Sequence, residues 1–397
     1  MENREIPVLF ETKENCCACG ACLNICPKKA ISMREDEHGF LYPEINKDTC
    51  IRCGMCKKVC AFQNNEILNS PIKCFAAVSA DRAQAEKSAS GGIFAAIATK
   101  TLERGGTVFG AAFDDSRRVH HISVDKQSRL CALQGSKYTQ SDTETTYSEV
   151  KELLKCGKDV LYSGTPCQIA GLQGFLGKDY ENLITVDIVC HGVPNNKMLL
   201  DYIAMLEEKH GGSLTSFTFR DKSIGWGING SAKIGKKKIT LWASASSYLY
   251  YFTRGWIYRE NCYKCKYASS HRPADLTLGD FWGIEKQHPD YIGKHGWDES
   301  KGISLIIANT EKGVLLLEKL GEALELKPTE FDKIAAGNTQ LRQPSKPGKR
   351  EELLDAYKAS GWQGLDKRFA KNMGWKKHSS RLKAMLPKGL KRALKRR

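Results

Sequence analysis

The chain has 397 residues, of which 41% are hydrophobic, so it is long enough for two or three domains and is not globally disordered. No run approaches the roughly 18 to 20 apolar residues of a membrane-spanning helix, and the first residues lack the apolar segment of a secretory signal. The net charge is +16, yet residues 367–397 hold thirteen Lys or Arg and no acid, which leaves 48 bases against 45 acids elsewhere. We therefore expect a cytoplasmic protein with a nearly neutral body and a basic tail.

Nine of the sixteen cysteines lie between positions 16 and 60, and eight of them form a repeat. The spacing C-x2-C-x2-C-x3-C occurs twice, 34 residues apart, and each copy has a glycine after its second cysteine. This spacing is that of a bacterial ferredoxin with two [4Fe-4S] clusters. A disulfide framework suits short secreted chains instead. A zinc site or redox-active C-x-x-C pairs are the alternatives weighed against the clusters.

Chain geometry assigns the ligands, because two-residue spacers let one loop offer three thiolates to one cluster while the fourth cysteine reaches the other cluster. The expected ligands of the first cluster are Cys16, Cys19, Cys22 and Cys60. Those of the second are Cys50, Cys53, Cys56 and Cys26. Cys17 is surplus, because the repeat aligns it with Ile51. We expect a small bacterial-type 2×[4Fe-4S] ferredoxin domain at residues 1–66.

From residue 72 the pattern changes to strand-like segments that alternate with helical ones. Examples are "CFAAVSA", "TVFGAAF", "DVLYSG" and "LITVDIVC" for strands, and "SGGIFAAIATKTLERGG" and "VPNNKMLLDYIAMLEEKHGG" for helices. This alternation predicts an α/β (α+β) body with a mixed sheet. We expect residues 72–150 to form the N-terminal part of a flavin-binding body and residues 151–335 its C-terminal part.

Two cysteines of the body lie where a strand gives way to the next segment. In "YSGTPCQIAG", Thr165 is a candidate N-cap and Cys167 falls in the first helical turn, while Cys190 follows the next strand. If the two strands are neighbours, both thiols meet at the carboxyl edge of the sheet, where such folds bind ligands. Cys262 and Cys265 form a C-x2-C pair before another strand-like segment. Each of these cysteines alone is more often a buried small side chain than a ligand.

Several motifs together carry a family resemblance. They are "SGGIF", "SKYTQS", "SGTPCQIAGL", "VDIVCHGVP", "FRDKSIGWG", "CYKCKYASSHRPADLTLGDFWG" and "GISLIIANTEKG". In this order they resemble the coenzyme F-420 hydrogenase/dehydrogenase beta-subunit family, which is related to 7-hydroxymethyl chlorophyll a reductase. The resemblance extends from the cysteine repeat to about residue 313.

The resemblance implies an iron–sulfur flavoprotein oxidoreductase with FAD and a third [4Fe-4S] cluster close to the flavin. The cysteines carried over as ligands of that cluster are Cys167, Cys190, Cys262 and Cys265. Hydride-type transfer to or from a deazaflavin or another small organic substrate is implied, and so is a redox partner protein or other oxidoreductase subunits. The alternative function is a non-catalytic iron–sulfur electron carrier or assembly subunit that lacks flavin.

A flavin needs a site for its phosphates, and "SGG" at the start of a helix offers free N–H groups there. The candidate FAD contacts are Ser90, Gly91, Gly92, Ser136, Lys137 and Tyr138. An ordinary helix start is the competing interpretation of "SGG". The string "GWGING" matches G-x-G-x-x-G, but a hairpin strand follows it instead of a helix, so we do not interpret it as a dinucleotide site.

Three further predictions concern a proton relay, the surplus cysteines and the C-terminal residues. His191 and Asp280 are candidates for a proton relay, with local hydrogen bonding as the commoner role. Cys17, Cys74, Cys131 and Cys156 are expected to be structural thiols. Residues 336–397 are expected to form a basic C-terminal tail. The tail is either solvated or a contact for an acidic partner or for the inner membrane face, without specific nucleic acid binding.

Overall fold

The structure of the protein is a computed structural model that describes residues 5–64, 68–293 and 295–374. Its strands are β1 (Ile31–Glu35), β2 (Leu41–Ile45), β3 (Lys73–Ser79), β4 (Thr107–Phe113), β5 (Val119–Val124), β6 (Val160–Gly164), β7 (Leu183–Ile188), β8 (Leu214–Thr218), β9 (Asn229–Ile234), β10 (Lys237–Trp242), β11 (Leu276–Asp280), β12 (Ser304–Ala308) and β13 (Leu324–Thr329).

Its α-helices are α1 (Ala21–Ile25), α2 (Met55–Lys58), α3 (Arg82–Lys87), α4 (Ile93–Glu103), α5 (Thr146–Lys155), α6 (Pro166–Leu176), α7 (Asn196–His210), α8 (Ser247–Thr253), α9 (Ile284–Gln287), α10 (Glu311–Leu320), α11 (Phe331–Gly337) and α12 (Arg350–Met373). Short 3-10 helices lie at Lys13–Asn15, Gln127–Ala132, Lys222–Ile224, Glu260–Lys264, Pro289–Tyr291, Glu299–Lys301, Gly321–Ala323 and Thr339–Leu341. Within the described ranges, no helix combines the length and apolar character needed to cross a bilayer.

The N-terminal region consists of the two cysteine loops, the helices α1 and α2 and the antiparallel hairpin β1–β2. Gly20 and Gly54 precede the two helices, and each has a left-handed backbone with φ of 82° and 74°. A residue with a side chain is disfavoured in that conformation, so the backbone conformation explains why each repeat has a glycine at this position. The two repeats thus fold alike at the point where each loop turns into its helix.

The body contains an eight-stranded mixed sheet in the order β13-β3-β12-β11-β7-β6-β4-β5. The pairs β4–β6, β6–β7 and β7–β11 are parallel, and the other pairs are antiparallel. The predicted mixed sheet is therefore confirmed. Because β6, β7 and β11 run in parallel, the segments that follow Gly164, Ile188 and Asp280 emerge at one edge of the sheet.

Local sequence explains where α6 begins and ends. Thr165 and Gln168 form a reciprocal capping box, Pro166 occupies the first turn, and Gly177 ends the helix in a left-handed conformation. The predicted N-cap is confirmed. Cys167 is consequently held in the first turn of a helix that starts directly after a central strand.

A second layer packs β8, β9 and β10 with α7, α8 and α12 around one aromatic core.

Residues 336–374, predicted as the start of a basic tail, are instead largely part of this folded body. Trp362, Leu365 and Phe369 of α12 are at most 1% exposed, and burying a large apolar side chain contributes roughly 1.5–3 kcal/mol. The basic composition of the region concealed this apolar face. Gly361 interrupts α12 with a non-helical backbone. Residues 375–397, where the rest of that tail falls, lie outside the described residues.

Candidate metal and cofactor sites

The cysteines of the N-terminal repeat line two small cavities. We call the first the middle site; its cysteines are Cys16, Cys17, Cys19, Cys22, Cys56 and Cys60. We call the second the outer site; its cysteines are Cys26, Cys50, Cys53 and Cys56. Each predicted quartet is thus brought together around one cavity, and Cys56 faces both. Thiolate sulfur is the donor that iron–sulfur clusters take, so both sets fit the predicted groups.

The body holds the first cysteine loop by its backbone carbonyls. Arg259 Nε donates to the carbonyl of Cys16 at 3.1 Å, and Gln140 Nε2 donates to that of Cys17 at 3.2 Å. Thr143 Oγ1 donates to the carbonyl of Cys19 at 2.8 Å. These three side chains fix the loop against the body, and none of them was among the residues predicted from the sequence. The sequence feature that could have identified them is their position inside or beside the motifs "SKYTQS" and "CYKCKYASSHRPADLTLGDFWG".

Two glycines of α6 allow the N-terminal region to approach this helix closely. A Cβ atom added at Gly171 would lie 2.6 Å from Cys19 Sγ, and one added at Gly174 would lie 2.5 Å from the carbonyl oxygen of Val59. Contacts this short would force the two elements apart. The helix that carries Cys167 in its first turn therefore also packs directly on the middle site.

A third cysteine-lined cavity, the inner site, lies at the carboxyl edge of the sheet. Its cysteines are Cys17, Cys167, Cys190, Cys262 and Cys265. The structure thus brings together the four cysteines carried over from the family resemblance, and it adds Cys17, which also faces the middle site. The Cys17 thiol lies within hydrogen-bond reach of both Cys19 and Cys167. Comparison of the two repeats could show that Cys17 is surplus in its own loop, but not that it adjoins a distant cysteine.

Burial and neighbouring charges set the protonation of these thiols. Burial raises the pKa of Cys190 to about 12 and that of Cys265 to about 11. A hydrogen bond from Cys17 lowers the pKa of Cys167 to about 7. Because metals bind the thiolate form, metal uptake at this site would release protons. Two buried arginines, Arg259 and Arg272, line the same cavity and favour the negative charge that results.

A larger cavity of about 300 Å³ opens at the carboxyl ends of β6, β7 and β11. It shares Thr165, Gln168, Cys190 and His191, among other residues, with the inner site. Five of the six predicted FAD contacts line it: Ser90, Gly92, Ser136, Lys137 and Tyr138. Gly91 does not; its N–H donates to Ser304 Oγ at 2.9 Å, and a Cβ there would lie 2.5 Å from the carbonyl oxygen of Ala77. Gly91 therefore serves close packing against the sheet.

Two features of this cavity fit an anionic cofactor. The Ser90 hydroxyl is buried without a hydrogen-bond partner beside the start of α4, where free N–H groups favour negative charge. Lys137 Nζ donates to the carbonyls of Ala132 and Gln134 at 3.0 and 2.9 Å, and burial lowers its pKa to about 7. An anion in the cavity would restore the charged form of this lysine.

An ion pair also lines this cavity. Arg220 Nη1 lies 2.8 Å from Asp280 Oδ2, and Trp226 Nε1 donates to Asp280 Oδ1 at 2.7 Å. Both carboxylate oxygens of Asp280 are thus bonded locally. His191 also lines the cavity, and burial lowers its pKa. The proton relay through these two residues stays a prediction. Arg220 was not predicted as a site residue, although it follows Phe219 in the quoted "FRDKSIGWG".

The remaining predicted structural thiols lie away from these cavities. Cys131 and Cys156 are exposed, and Cys74 is half-buried on β3, where burial raises its pKa to about 11. None of the three lines the outer, middle or inner site or the large cavity. They therefore offer control positions for cysteine substitution.

Comparisons with known proteins add two family matches. Residues 157–333 match the family model for the C terminus of the coenzyme F420 hydrogenase/dehydrogenase beta subunit, and residues 15–64 match the model "4Fe-4S dicluster domain". No curated protein matches the chain. A solved chain from the F420-reducing [NiFe] hydrogenase complex of Methanosarcina barkeri, studied by xenon derivatization, is 19% identical with a TM-score of 0.45. That alignment covers 78% of this chain and 94% of the solved one. Residues 157–333 are thus a C-terminal domain of the coenzyme F420 hydrogenase/dehydrogenase beta-subunit family, and residues 15–64 are a 4Fe-4S dicluster domain.

Proposed function

We propose that the chain is an iron–sulfur flavoprotein subunit of an oxidoreductase. It would hold [4Fe-4S] clusters at the outer, middle and inner sites and FAD in the large cavity. When bound, the clusters supply one-electron transfer and the flavin exchanges a hydride with an organic substrate. The family supports a deazaflavin as the first substrate to test and other oxidoreductase subunits as partners.

The observation that carries this proposal is the arrangement of the four cavities in series. Cys56 lines both the outer and the middle site, and Cys17 lines both the middle and the inner site. Cys190 lines both the inner site and the large cavity. Each neighbouring pair of sites therefore shares a cysteine in its wall. Such a series suits the stepwise movement of single electrons between the surface and a buried two-electron cofactor.

The residues of the chain would divide the work of holding these groups. The predicted quartets supply the thiolates of the outer and middle clusters, and Cys167, Cys190, Cys262 and Cys265 supply those of the inner cluster. Ser90 and the N-terminus of α4 would accept a phosphate of FAD, with Lys137 as a cationic partner. Arg220 and Asp280 would form part of the wall of the same cavity through their ion pair.

Iron content and bound flavin test the proposal. After anaerobic reconstitution we expect about twelve iron and twelve sulfide per chain, together with a yellow chromophore that denaturation releases as FAD. Cys265→Ser should lose about four of the twelve iron atoms, which is the iron content of one [4Fe-4S] cluster. Cys156→Ser is the matched control, because this thiol is exposed and outside the sites, and it should retain all of them.

Three other results would contradict parts of the proposal. Zinc in place of iron would overturn the cluster assignment. A full iron content in Cys265→Ser would overturn the inner ligand set. Failure of the reconstituted protein to bind FAD would favour a subunit that transfers electrons without flavin.

A further inference from the structure

Arg259 lies between the middle and the inner site. Its side chain is 1% exposed, and its guanidinium carbon lies 4.1 Å from the centre of the Tyr42 ring. Its Nε donates to the carbonyl of Cys16, which faces the middle site, and its Nη1 donates to Gln140 Oε1 at 3.1 Å. The residue also lines the inner site. One buried cation is therefore in contact with the walls of two neighbouring sites.

The third guanidinium nitrogen of Arg259 is left without a partner. Its Nη2 is buried and has no hydrogen-bond acceptor among the described residues. Arginine cannot lose its proton in a protein, and an unpaired buried charge is costly. An acceptor atom in the adjoining inner site would remove that cost, and the sulfur atoms of a metal cluster are such acceptors.

The charge of Arg259 also lacks the compensation that its neighbours have. Arg272, which lines the same site, pairs with Asp187 at 2.9 Å, and Arg220 at the large cavity pairs with Asp280 at 2.8 Å. Within the described ranges no carboxylate lies within salt-bridge distance of Arg259. Of these three buried arginines, Arg259 is thus the one whose positive charge remains available to a group inside the cavity.

We infer that Arg259 sets the reduction potential of the inner site and thereby favours electron transfer from the middle site inward. This inference rests on the proposed function. In the transfer one electron leaves the middle cluster and enters the inner cluster, and no bond or proton moves. The inner site gains one negative charge, which the fixed positive charge of Arg259 stabilises at short range in a medium of low dielectric constant.

A structural role alone would predict a different outcome. If Arg259 only ties the Cys16 loop to the body, its replacement should loosen the loop and lower the iron content. If it sets the potential, a neutral replacement should leave the iron content intact and make the inner cluster harder to reduce. Arg259→Lys should restore most of the potential, because it keeps the positive charge.

The experiment is a redox titration monitored by electron paramagnetic resonance on the fully reconstituted chain. Arg259→Met should lower the equilibrium constant for reduction of the inner cluster at least tenfold, about 59 mV for one electron. Arg259→Gln is a second neutral variant for the case that Arg259→Met folds poorly. Its side-chain amide is uncharged but can still donate a hydrogen bond. Arg254→Met is the matched control. Arg254 also stacks on a tyrosine ring, at 3.5 Å from Tyr250, but it lies at none of the four cavities.

The outcomes separate this inference from the proposed function. Three clusters in every variant, with the inner potential unchanged in Arg259→Met and Arg259→Gln, would overturn the inference and leave the proposed function intact. Loss of iron from the neutral variants, with an unchanged potential of the inner cluster, would show that Arg259 has only a structural role. That result would also overturn the inference. Two clusters in the unaltered protein would overturn both. A lowered potential in the neutral variants that Arg259→Lys restores would support the role of the charge.

Discussion

The outer and the inner site are both lined by cysteine thiols, but the two sites lie in opposite surroundings. At the outer site Cys53 is exposed, and the neighbouring side chains of Ile51 and Met55 are 55% and 40% exposed. At the inner site the charged neighbours, Arg259 and Arg272, are each 1% exposed. Water and ions can compensate a charge at the outer site, whereas the protein itself must do so at the inner site. The outer site is therefore open to solvent, whereas the charged groups beside the inner site are shielded from it.

The largest expected difference between the two regions concerns stability. Arg272→Met leaves Asp187, which is 0% exposed, buried without its ion-pair partner. Breaking a buried pair from one side costs roughly 3–5 kcal/mol. We expect the free energy of unfolding in urea to fall by that amount. Arg104→Met, which removes an exposed pair with Asp159 at 3.7 Å, is the control and should cost less than about 1 kcal/mol. Equal losses in both variants would contradict the description of the inner site as shielded from solvent.

The second prediction concerns the close contact between the N-terminal region and the body. Gly174→Ala places a methyl group 2.5 Å from the backbone oxygen of Val59, which cannot move aside as a flexible side chain can. We expect a loss of roughly 1–3 kcal/mol and faster proteolysis between the N-terminal region and the body. Gly212→Ala meets its nearest atom at 3.5 Å and is the control. Unchanged proteolysis of Gly174→Ala would show that the two regions do not depend on this close contact.

The third prediction concerns the pH dependence of FAD binding in the large cavity, where Lys137 is the titrating residue. With a pKa of about 7, Lys137 is mostly charged at pH 6 and mostly neutral at pH 8. Affinity for FAD, which is anionic, should therefore fall about tenfold over that range. His121, whose pKa burial lowers to about 4, stays neutral throughout, and Arg220 remains paired with Asp280.

Equilibrium titration with FAD at several pH values checks this expectation. Lys137→Met should bind more weakly at pH 6 and show a flat profile, while Lys126→Met, at an exposed lysine nearby, should behave as the unaltered protein. A profile that keeps its slope in Lys137→Met would assign the titration to another group.

The smallest effect is expected at the outer end. Ile51→Ser replaces an exposed apolar side chain, and such surface changes usually alter stability by no more than about 0.5 kcal/mol. Urea unfolding and iron content should therefore match those of the unaltered protein. A clear loss of iron would mean that Ile51 shields the outer site, and the contrast between the two ends would weaken.

Sequence was informative wherever a local pattern carried the physics. The repeated cysteine spacing identified the N-terminal domain, and the segment from Thr165 to Cys167 predicted a helix start that the capping box confirms. The mixed sheet followed from the alternation of strands and helices. In each case residues close in the chain determine the geometry.

The rest depends on contacts between residues distant in the chain. The approach of Cys17 to Cys167 and the placement of Arg259 beside Cys16 join segments separated by 150 and 243 positions. No local spacing encodes such contacts. The folded face of α12 was missed for another reason, because its apolar residues lie among many charged ones and the helix breaks at Gly361. A prediction from net charge alone could not separate this helix from the basic residues beyond it.

The most direct test of the series arrangement measures electron flow through the middle site. Reduction of bound FAD would be followed by stopped flow, with a reduced bacterial-type ferredoxin as protein donor or with dithionite as small donor. We expect Cys22→Ser, at a predicted ligand of the middle site, to slow reduction by ferredoxin at least about 100-fold, since electron entry from the outer end requires this site. Reduction by dithionite should change little, because a small donor can reach the cavity directly. Equal ferredoxin rates in Cys22→Ser and the unaltered protein would contradict the series arrangement.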